Sequence, residues 1–237
     1  MPDDTKQHIK APSDSCLYCK AKSQMFNLLT DDELGQVNDN RCRVTYRAGE
    51  TIRKQGAKLS HVISVTGGLC KMYIEGVERH DIILRIIKPT NFIGGPGLYV
   101  DNRHHFTVSA ITGVTVCFID TATFRLVMEK NKAFADAFMH DMSKNMIAIY
   151  NRIISLTQKQ MAGRIADALL YFSDEVFENR DFEIPLSKQD MADFTQMTRD
   201  NMVRILRSFH NEEIIHLDKE KVHIADYEKL VHISTTG

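Results

Sequence analysis

The chain has 237 residues, of which 43% are hydrophobic and 26% charged, and its formal net charge is −1. This length predicts two domains, and the composition excludes a disordered chain and supplies no apolar run of the roughly 20 residues that a membrane-spanning helix needs. The near-zero charge excludes a general attraction to nucleic acid, so any DNA affinity must come from local groups.

The amino-terminal segment MPDDTKQHIKAPSDS is polar and mixed in charge. It lacks the basic and then apolar order of a secretion signal, so we expect a cytoplasmic protein with no membrane partner. Residues 1–22 are predicted to form an arm that carries a CxxC pair. An odd number of cysteines in a long chain favours reduced thiols or metal ligands over a disulfide framework. The five cysteines are Cys16, Cys19, Cys42, Cys70 and Cys117.

Residues 23–130 read as a strand-rich domain. Thr30 is followed by three acidic residues, which predicts a capped short helix around Leu34. Short segments rich in β-branched and aromatic residues then alternate with turn signals, a pattern typical of a sandwich or jelly roll. The predicted strands are RVTYR, ETIRKQG, HVISVT, LCKMYIEG, DIILRIIK, HFTVSAI and VTVCFID.

The periodicity changes between about residues 122 and 157, where apolar residues recur at steps of three and four. Part of this series fits the seam of a coiled coil, so residues 131–157 are predicted to form a dimerisation helix. The alternative is a helix that packs on its own domain's core. The seam consists of Met139, Met142, Met146, Ile149, Ile153 and Leu156.

Residues 158–237 are predicted to form a winged helix-turn-helix. A helix spans about 160–176, with a hinge expected near 157–163. Ser187 then caps a helix that runs to about Phe194, and Thr198 caps a second helix through Arg207. The segment IIHLDKEKVHIADYEKL supplies two short strands, which form the wing.

The second of these helices exposes a polar face. Arg199, Asp200 and Arg204 lie away from the apolar stripe of Met202, Ile205 and Leu206. Arginine suits a phosphate or a guanine edge, and a carboxylate accepts from the amino group of cytosine. The alternative is an ordinary solvated helix face, because residues 187–216 carry four basic and five acidic groups.

The start of the preceding helix offers a second kind of contact. Ser187 and Gln189 could hold a DNA phosphate there, through their side chains and free backbone N–H groups.

The whole chain resembles the Crp/Fnr family of transcription factors. The resemblance rests on NFIGGPGLY at 91–99, AGRIADALL at 162–170 and MTRDNMVRIL at 197–206. It implies an α+β fold with an amino-terminal β-roll sensor (a double-stranded jelly roll like that of cyclic-nucleotide binders), a long dimerisation helix and a carboxy-terminal winged helix-turn-helix. It also implies a homodimer on a palindromic double-stranded operator, DNA contacts by Thr198, Arg199, Asp200 and Arg204, and RNA polymerase as a partner.

The sensor departs from the cyclic-nucleotide pattern of that family. The glutamate that would bind the ribose is replaced by Gly95, next to Gly94, and the arginine and serine that would bind the phosphate are replaced by His104 and His105. A phosphate without its arginine lacks a bidentate charged partner, so cyclic AMP is not expected. These four residues remain the expected effector pocket.

An iron–sulfur cluster is a second possibility, since the resemblance places Cys117 where oxygen-sensing relatives have a cluster cysteine. Cys16 and Cys19 would complete a three-cysteine metal site, but the third cysteine that relatives carry soon after the pair is missing here. Heme held by a histidine, a redox or nitrosative thiol response and an unknown small molecule also stay open as effectors.

The leading hypothesis is a dimeric, sequence-specific transcription regulator in which an effector shifts the population of DNA-competent dimers. One alternative is a sensor module that acts on a protein partner without binding DNA. Another is a metal-dependent jelly-roll enzyme, which the scattered positions of His61, His80 and His104 disfavour.

Overall fold

The computed structural model describes residues 15–77 and 81–237. Residues 1–14 of the predicted arm, and His80, lie outside the described residues. None of the helices in these two ranges is long and apolar enough to span a bilayer.

Two antiparallel four-stranded sheets form the β-roll. Their strands are β1 (Arg41–Tyr46), β2 (Thr51–Arg53), β3 (His61–Gly67), β4 (Cys70–Ile74), β5 (Ile82–Ile87), β6 (Phe92–Ile93), β7 (Thr107–Ala110) and β8 (Val114–Asp120). The order is β1-β8-β3-β6 in one sheet and β2-β7-β4-β5 in the other. All seven predicted strands are present, and β6 is an eighth whose two residues are too short to give a periodic signal.

The two faces of strand β8 pack against different parts of the domain, because successive side chains of a strand point to opposite sides. Val116 and Phe118 lie in the apolar interior of the roll. Ile119 packs on the outer side, in a cluster with residues of the flanking helices. The roll therefore has an inner core and an outer core that share one strand.

The first helix, α1 (Asp31–Asp39), begins with the predicted capping box. The Thr30 hydroxyl accepts from the backbone N–H of Glu33 at 3.3 Å, and the Glu33 carboxylate accepts from that of Thr30 at 2.9 Å. These bonds satisfy two backbone donors that a helix start leaves unpaired.

The apolar segment from 122 to 157 is two helices, α2 (Thr121–Lys130) and α3 (Lys132–Gln158), which meet at Asn131. The Asn131 side-chain oxygen accepts from the N–H of Phe134, and its amide donates to the carbonyl of Leu28 and to the Glu33 carboxylate, each at 2.9 Å. Asn131 therefore starts the long helix and also ties it to the beginning of α1.

The carboxy-terminal unit contains the predicted helix pair and wing. Its elements are α4 (Met161–Tyr171), a π-helical turn (Phe172–Phe177), β9 (Asp181–Glu183), α5 (Lys188–Thr195), α6 (Arg199–Asn211), β10 (Ile215–Asp218), β11 (Lys221–Ile224) and α7 (Tyr227–Thr236). The helix α4 ends at Tyr171 rather than near residue 176 as predicted, and α6 continues past Arg207.

Two elements of this unit were not predicted from the sequence. The strand β9 joins the wing as the third strand of a sheet ordered β10-β11-β9. The helix α7 packs against α4, where Gly163 permits a close approach: a Cβ at this position would lie 2.8 Å from the carbonyl oxygen of Gly237. The segment YEKL, read as part of the wing, belongs to α7.

Candidate functional site

The helix-turn-helix is formed by α5, α6 and a three-residue connection. Ser187 caps α5 by accepting from the N–H of Asp190 at 3.1 Å, and Thr198 caps α6 by accepting from that of Asn201 at 3.3 Å. Gln196 ends α5 with φ 49° and ψ 56°, a left-handed conformation in which glycine is favoured. The turn therefore contains a left-handed residue, and a glutamine occupies the position that favours glycine.

The helix α6 separates an apolar face from a charged one. Met202 and Leu206 are buried in the core, while Arg199, Asp200 and Arg204 are exposed. The guanidinium of Arg204 donates to the side-chain oxygen of Asn201 at 3.2 Å, which orients it along the helix surface. Two guanidinium groups and one carboxylate thus share an exposed surface that can meet base edges or phosphates.

Sequence reasoning overlooked Arg207 as part of this surface. Arg207 is exposed and lines the same groove as Asp200 and Arg204. Its position three residues after Arg204 was the available signal, since such residues are neighbours on a helix.

The predicted phosphate contacts at the start of α5 are already engaged within the helix. The Ser187 hydroxyl is used as the cap, and the Gln189 amide donates to the Asp193 carboxylate at 2.9 Å. Gln189 would have to leave Asp193 to bind a phosphate.

The wing sheet carries a row of exposed polar side chains that sequence reasoning also overlooked. His216 and His223 are opposite each other on β10 and β11, with ring centroids 5.8 Å apart and nearly parallel planes. His223 Nδ1 lies 2.7 Å from the Asp181 carboxylate of β9. The signal was the alternation IHL and VHI on two strands.

The three cysteines proposed as metal ligands line one small cavity on the outer face of the roll. Cys117 of β8 lies between Arg43 of β1 and Ser64 of β3, its direct neighbours across the sheet. Cys16 and Cys19 approach from the arm, where the N–H of Cys16 donates to the Asn38 side chain at 3.0 Å. We call this space, of about 30 Å³, the thiol cavity, and its other lining residues include Lys22, Arg41, Ser64 and Thr66.

The thiol cavity surrounds its sulfur atoms with positive charge and partial burial. Burial raises the pKa of Cys117 to about 11, and the neighbouring thiols Cys16 and Cys19 also raise it. Arg41 opposes this shift, with its guanidinium 3.7 Å from the Cys117 sulfur. The Ser64 hydroxyl is buried in the same place without a hydrogen-bond partner. Cys117 is therefore a protonated thiol at neutral pH.

The donor set of the thiol cavity does not complete an iron–sulfur cluster, which takes four cysteine ligands in its usual form. Cys42 lies opposite Phe118 of the inner core, and Cys70 lies inside the roll, where burial raises its pKa to about 12. Across the described ranges, no group of three His, Cys, Asp or Glu side chains is arranged to hold a metal ion.

The four residues proposed as an effector pocket lie in different environments. Gly95 has φ 71°, and a Cβ there would lie 2.8 Å from the ring of Phe106, which packs in the inner core. His104 is 1% exposed and neither ring nitrogen has a hydrogen-bond partner. Burial lowers its pKa to about 4, assisted by Arg53 and His105.

The remaining two residues of that set, His105 and Gly94, differ from His104 in exposure or in contacts. His105 is half exposed, with its ring nitrogen 3.2 Å from the Asp101 carboxylate. Gly94 is buried, and a Cβ there would make ordinary contact with Val62.

The long helix α3 exposes an apolar stripe. Met139, Met146 and Ile153 of the predicted seam are about half exposed. Met142, Ile149 and Leu156 are partly buried, and Met142 packs against the outer core of its own sensor. The exposed stripe is completed by residues outside the predicted seam, namely Ile147, Tyr150 and Ile154.

Both halves of the chain match known domain families. Residues 43–131 match the cyclic nucleotide-binding domain family, and residues 163–233 match the Crp-like helix-turn-helix domain family. The chain is 22% identical to the transcriptional activator protein FnrL of Cereibacter sphaeroides over 84% of this chain and 83% of that protein. It is also 22% identical to the transcriptional activatory protein AadR of Rhodopseudomonas palustris, over 92% and 95%.

Among solved structures, FixK2 of Bradyrhizobium japonicum has a similar fold. The TM-score is 0.76 at 16% identity, over 83% of this chain and 98% of that one. The predicted order of β-roll, long helix and helix-turn-helix is thereby confirmed.

Proposed function

The chain belongs to the Crp/Fnr family of transcription regulators, and on that premise we propose that it is a dimeric, sequence-specific DNA-binding regulator controlled through its β-roll sensor domain. The observation that carries the proposal is the exposed surface of α6, where Arg199, Asp200 and Arg204 stand clear of the core. Two such helices in a twofold dimer would read a palindromic operator, with half-sites about one helical turn apart.

The exposed stripe of α3 supports the dimer. Half-exposed methionine, isoleucine and tyrosine side chains follow one another over a helix of 27 residues. A second copy of the helix would remove them from water and make the stripe a coiled-coil interface. Cytoplasmic location and contact with RNA polymerase complete the proposal by analogy with the family.

The substitution Arg204→Ala tests DNA reading. We expect affinity for the selected operator to fall by about 1–3 kcal/mol, the scale of one good base contact, measured at fixed salt concentration. The matched control is Arg47→Ala, which removes an exposed arginine from the sensor surface and should leave affinity unchanged.

Equal binding by the two variants would contradict the reading role of α6. Failure of the wild type to bind any selected sequence would instead favour the alternative, in which the sensor acts on a protein partner without DNA.

For the effector we propose thiol chemistry in the thiol cavity. The convergence of Cys16, Cys19 and Cys117 supports it, together with the surrounding cations that stabilise a thiolate once it forms. Cyclic AMP is not favoured as the effector, since the arginine and serine that would bind its phosphate in the family are replaced by His104 and His105, and Phe106 packs against Gly95.

The test uses protein purified without oxygen and exposed to a nitrosating or oxidising reagent. We expect operator affinity to change about tenfold in the wild type and in Cys42→Ser, a control thiol outside the cavity, but not in Cys117→Ser. A persistent response in Cys117→Ser would place sensing elsewhere. Stoichiometric iron and sulfide in the wild-type protein would contradict the thiol proposal and would indicate an iron–sulfur cluster as the effector site.

A further inference from the structure

The first helix of the helix-turn-helix, α5, is held directly by the sensor domain. Lys71 of β4 forms an ion pair with Asp190 of α5, and each side chain is only 23% exposed. At the end of α5, the Gln196 amide donates to the backbone carbonyl of Asp81, just before β5, at 3.0 Å. Two polar contacts therefore cross from one sheet of the β-roll to the two ends of the same short helix.

The contact continues through the apolar cores. Ile83 and Ile86 of β5 belong to the same buried cluster as the core of the carboxy-terminal unit. The hydroxyl of Tyr171 accepts from the N–H of Ile86 at 2.9 Å and lies 3.2 Å from its carbonyl oxygen. The sensor and the helix-turn-helix are therefore docked as one packed body.

This docking buries a charge with incomplete hydrogen bonding. Arg152 of α3 is 9% exposed, and its guanidinium carbon lies 3.8 Å from the ring centroid of Phe194 in α5. Its Nε and Nη2 have no hydrogen-bond partner, and burial lowers its pKa to about 10. A buried cation whose N–H groups lack hydrogen-bond partners raises the free energy of the docked state. Separation of the two units would let water reach these groups and would remove that cost.

Docking also places acidic groups at the surface where a phosphate would approach. Asp81 lines one groove together with Gln189, Thr198 and Arg199 of the helix-turn-helix. The pKa of Asp193 in this groove is raised, first by burial and further by the charges of Asp190 and Asp81. A DNA phosphate near Gln189 would meet this negative charge, part of which the sensor contributes.

We propose that the sensor strands β4 and β5 act as a brake, which holds α5 through the Lys71–Asp190 and Asp81–Gln196 contacts in a state that binds DNA weakly. Release of these contacts frees α5 and removes Asp81 from the phosphate-facing groove. The brake rests on the proposed DNA-binding function and adds to it the site at which the sensor controls the reading module.

The substitution Lys71→Met tests the brake, because it removes the charge but keeps most of the aliphatic stem and lies in the sensor, away from the reading helix. The matched control is Lys54→Met, which removes a lysine paired with Glu75 inside the sensor at 3.9 Å. Amide hydrogen exchange of α5 and affinity for the operator are measured on full-length protein without effector.

We expect faster exchange in α5 and operator binding about 5- to 10-fold tighter in Lys71→Met, with neither change in Lys54→Met. Unchanged or weaker operator binding by Lys71→Met would overturn the brake and leave the DNA-binding function standing. Absence of operator binding in every variant, with faster exchange in Lys71→Met, would refute the DNA-binding function and the brake with it.

A second variant covers the case in which Lys71→Met does not fold. Gln196→Gly keeps the left-handed backbone of the turn and removes the contact with Asp81. It should also speed exchange in α5, and exchange equal to that of the wild type would count against the brake.

Discussion

The inside of the β-roll and the thiol cavity lie on opposite faces of β8, and they differ in what fills them. The inner face carries Val116 and Phe118 in a close-packed apolar core. The outer face carries Cys117, beside two arginines and a buried serine hydroxyl without a partner. One face of the strand thus contributes to a packed apolar core, whereas the other face lines the cavity that contains the three thiols.

This contrast teaches that a β-roll can keep its fold while its candidate effector site lies on the outer face of a sheet instead of in its interior. A filled interior favours one rigid structure, since packed cores transmit strain and have few voids. The thiol cavity lies between the arm and the sheet, close to α1 and to the start of α3. The thiol chemistry proposed there would therefore act on these helices rather than on the interior of the roll.

Phe106→Ala is the strongest way to break the contrast, because it would open the inner core next to Gly95. We expect the free energy of unfolding to fall by about 3–5 kcal/mol, measured by denaturant titration. Phe106→Leu is the matched control and should cost less, since it leaves a smaller cavity. A loss below about 1 kcal/mol for the alanine variant would mean that the ring does not fill the interior.

His104→Leu gives a smaller effect, which depends on pH. The folded protein lowers the pKa of His104 to about 4, below the ordinary value near 6.5, so the unfolded chain binds the proton more readily. The contribution of neutral His104 to the free energy of unfolding is complete above about pH 6.5 and is lost as the pH falls through that value toward 4.

We therefore expect wild-type protein to lose about 2 kcal/mol more unfolding free energy than His104→Leu between pH 7 and pH 5. Urea unfolding at the two pH values measures the difference, and the other histidines, common to both proteins, cancel in the comparison. Equal losses in the two proteins would show that His104 takes up its proton in the folded state as readily as in the unfolded chain.

Local signals in the sequence were sufficient for the reading module. Ser187 and Thr198 are caps whose effect reaches only three residues along the chain, and the structure contains both bonds. The apolar stripe through Met202 and Leu206 likewise follows from helical spacing alone. The bounds of α6 were less well predicted, because no strong stop signal follows Arg207.

Long-range features could be predicted only in part. The resemblance suggested that Cys117 joins Cys16 and Cys19, but the contribution of Ser64 depends on strand register. His104 and His105 are neighbours in sequence, yet one is buried and the other exposed, which no local pattern distinguishes. The contact between Gln196 and Asp81 joins residues 115 positions apart, so only the docked tertiary structure reveals it.

The hydrogen bonds of Asn131 have a mechanical consequence. Asn131 fixes the first turn of α3 while its amide binds Leu28 and Glu33, in the segment that follows the arm along the chain. The helix that begins there has 27 residues, and at 1.5 Å per residue it is about 40 Å long. A tilt of about 5° at Asn131 would move the far end of such a helix by about 3–4 Å. A tilt of a few degrees at the start of α3 would thus become, at its far end, a displacement comparable to the spacing between successive base pairs.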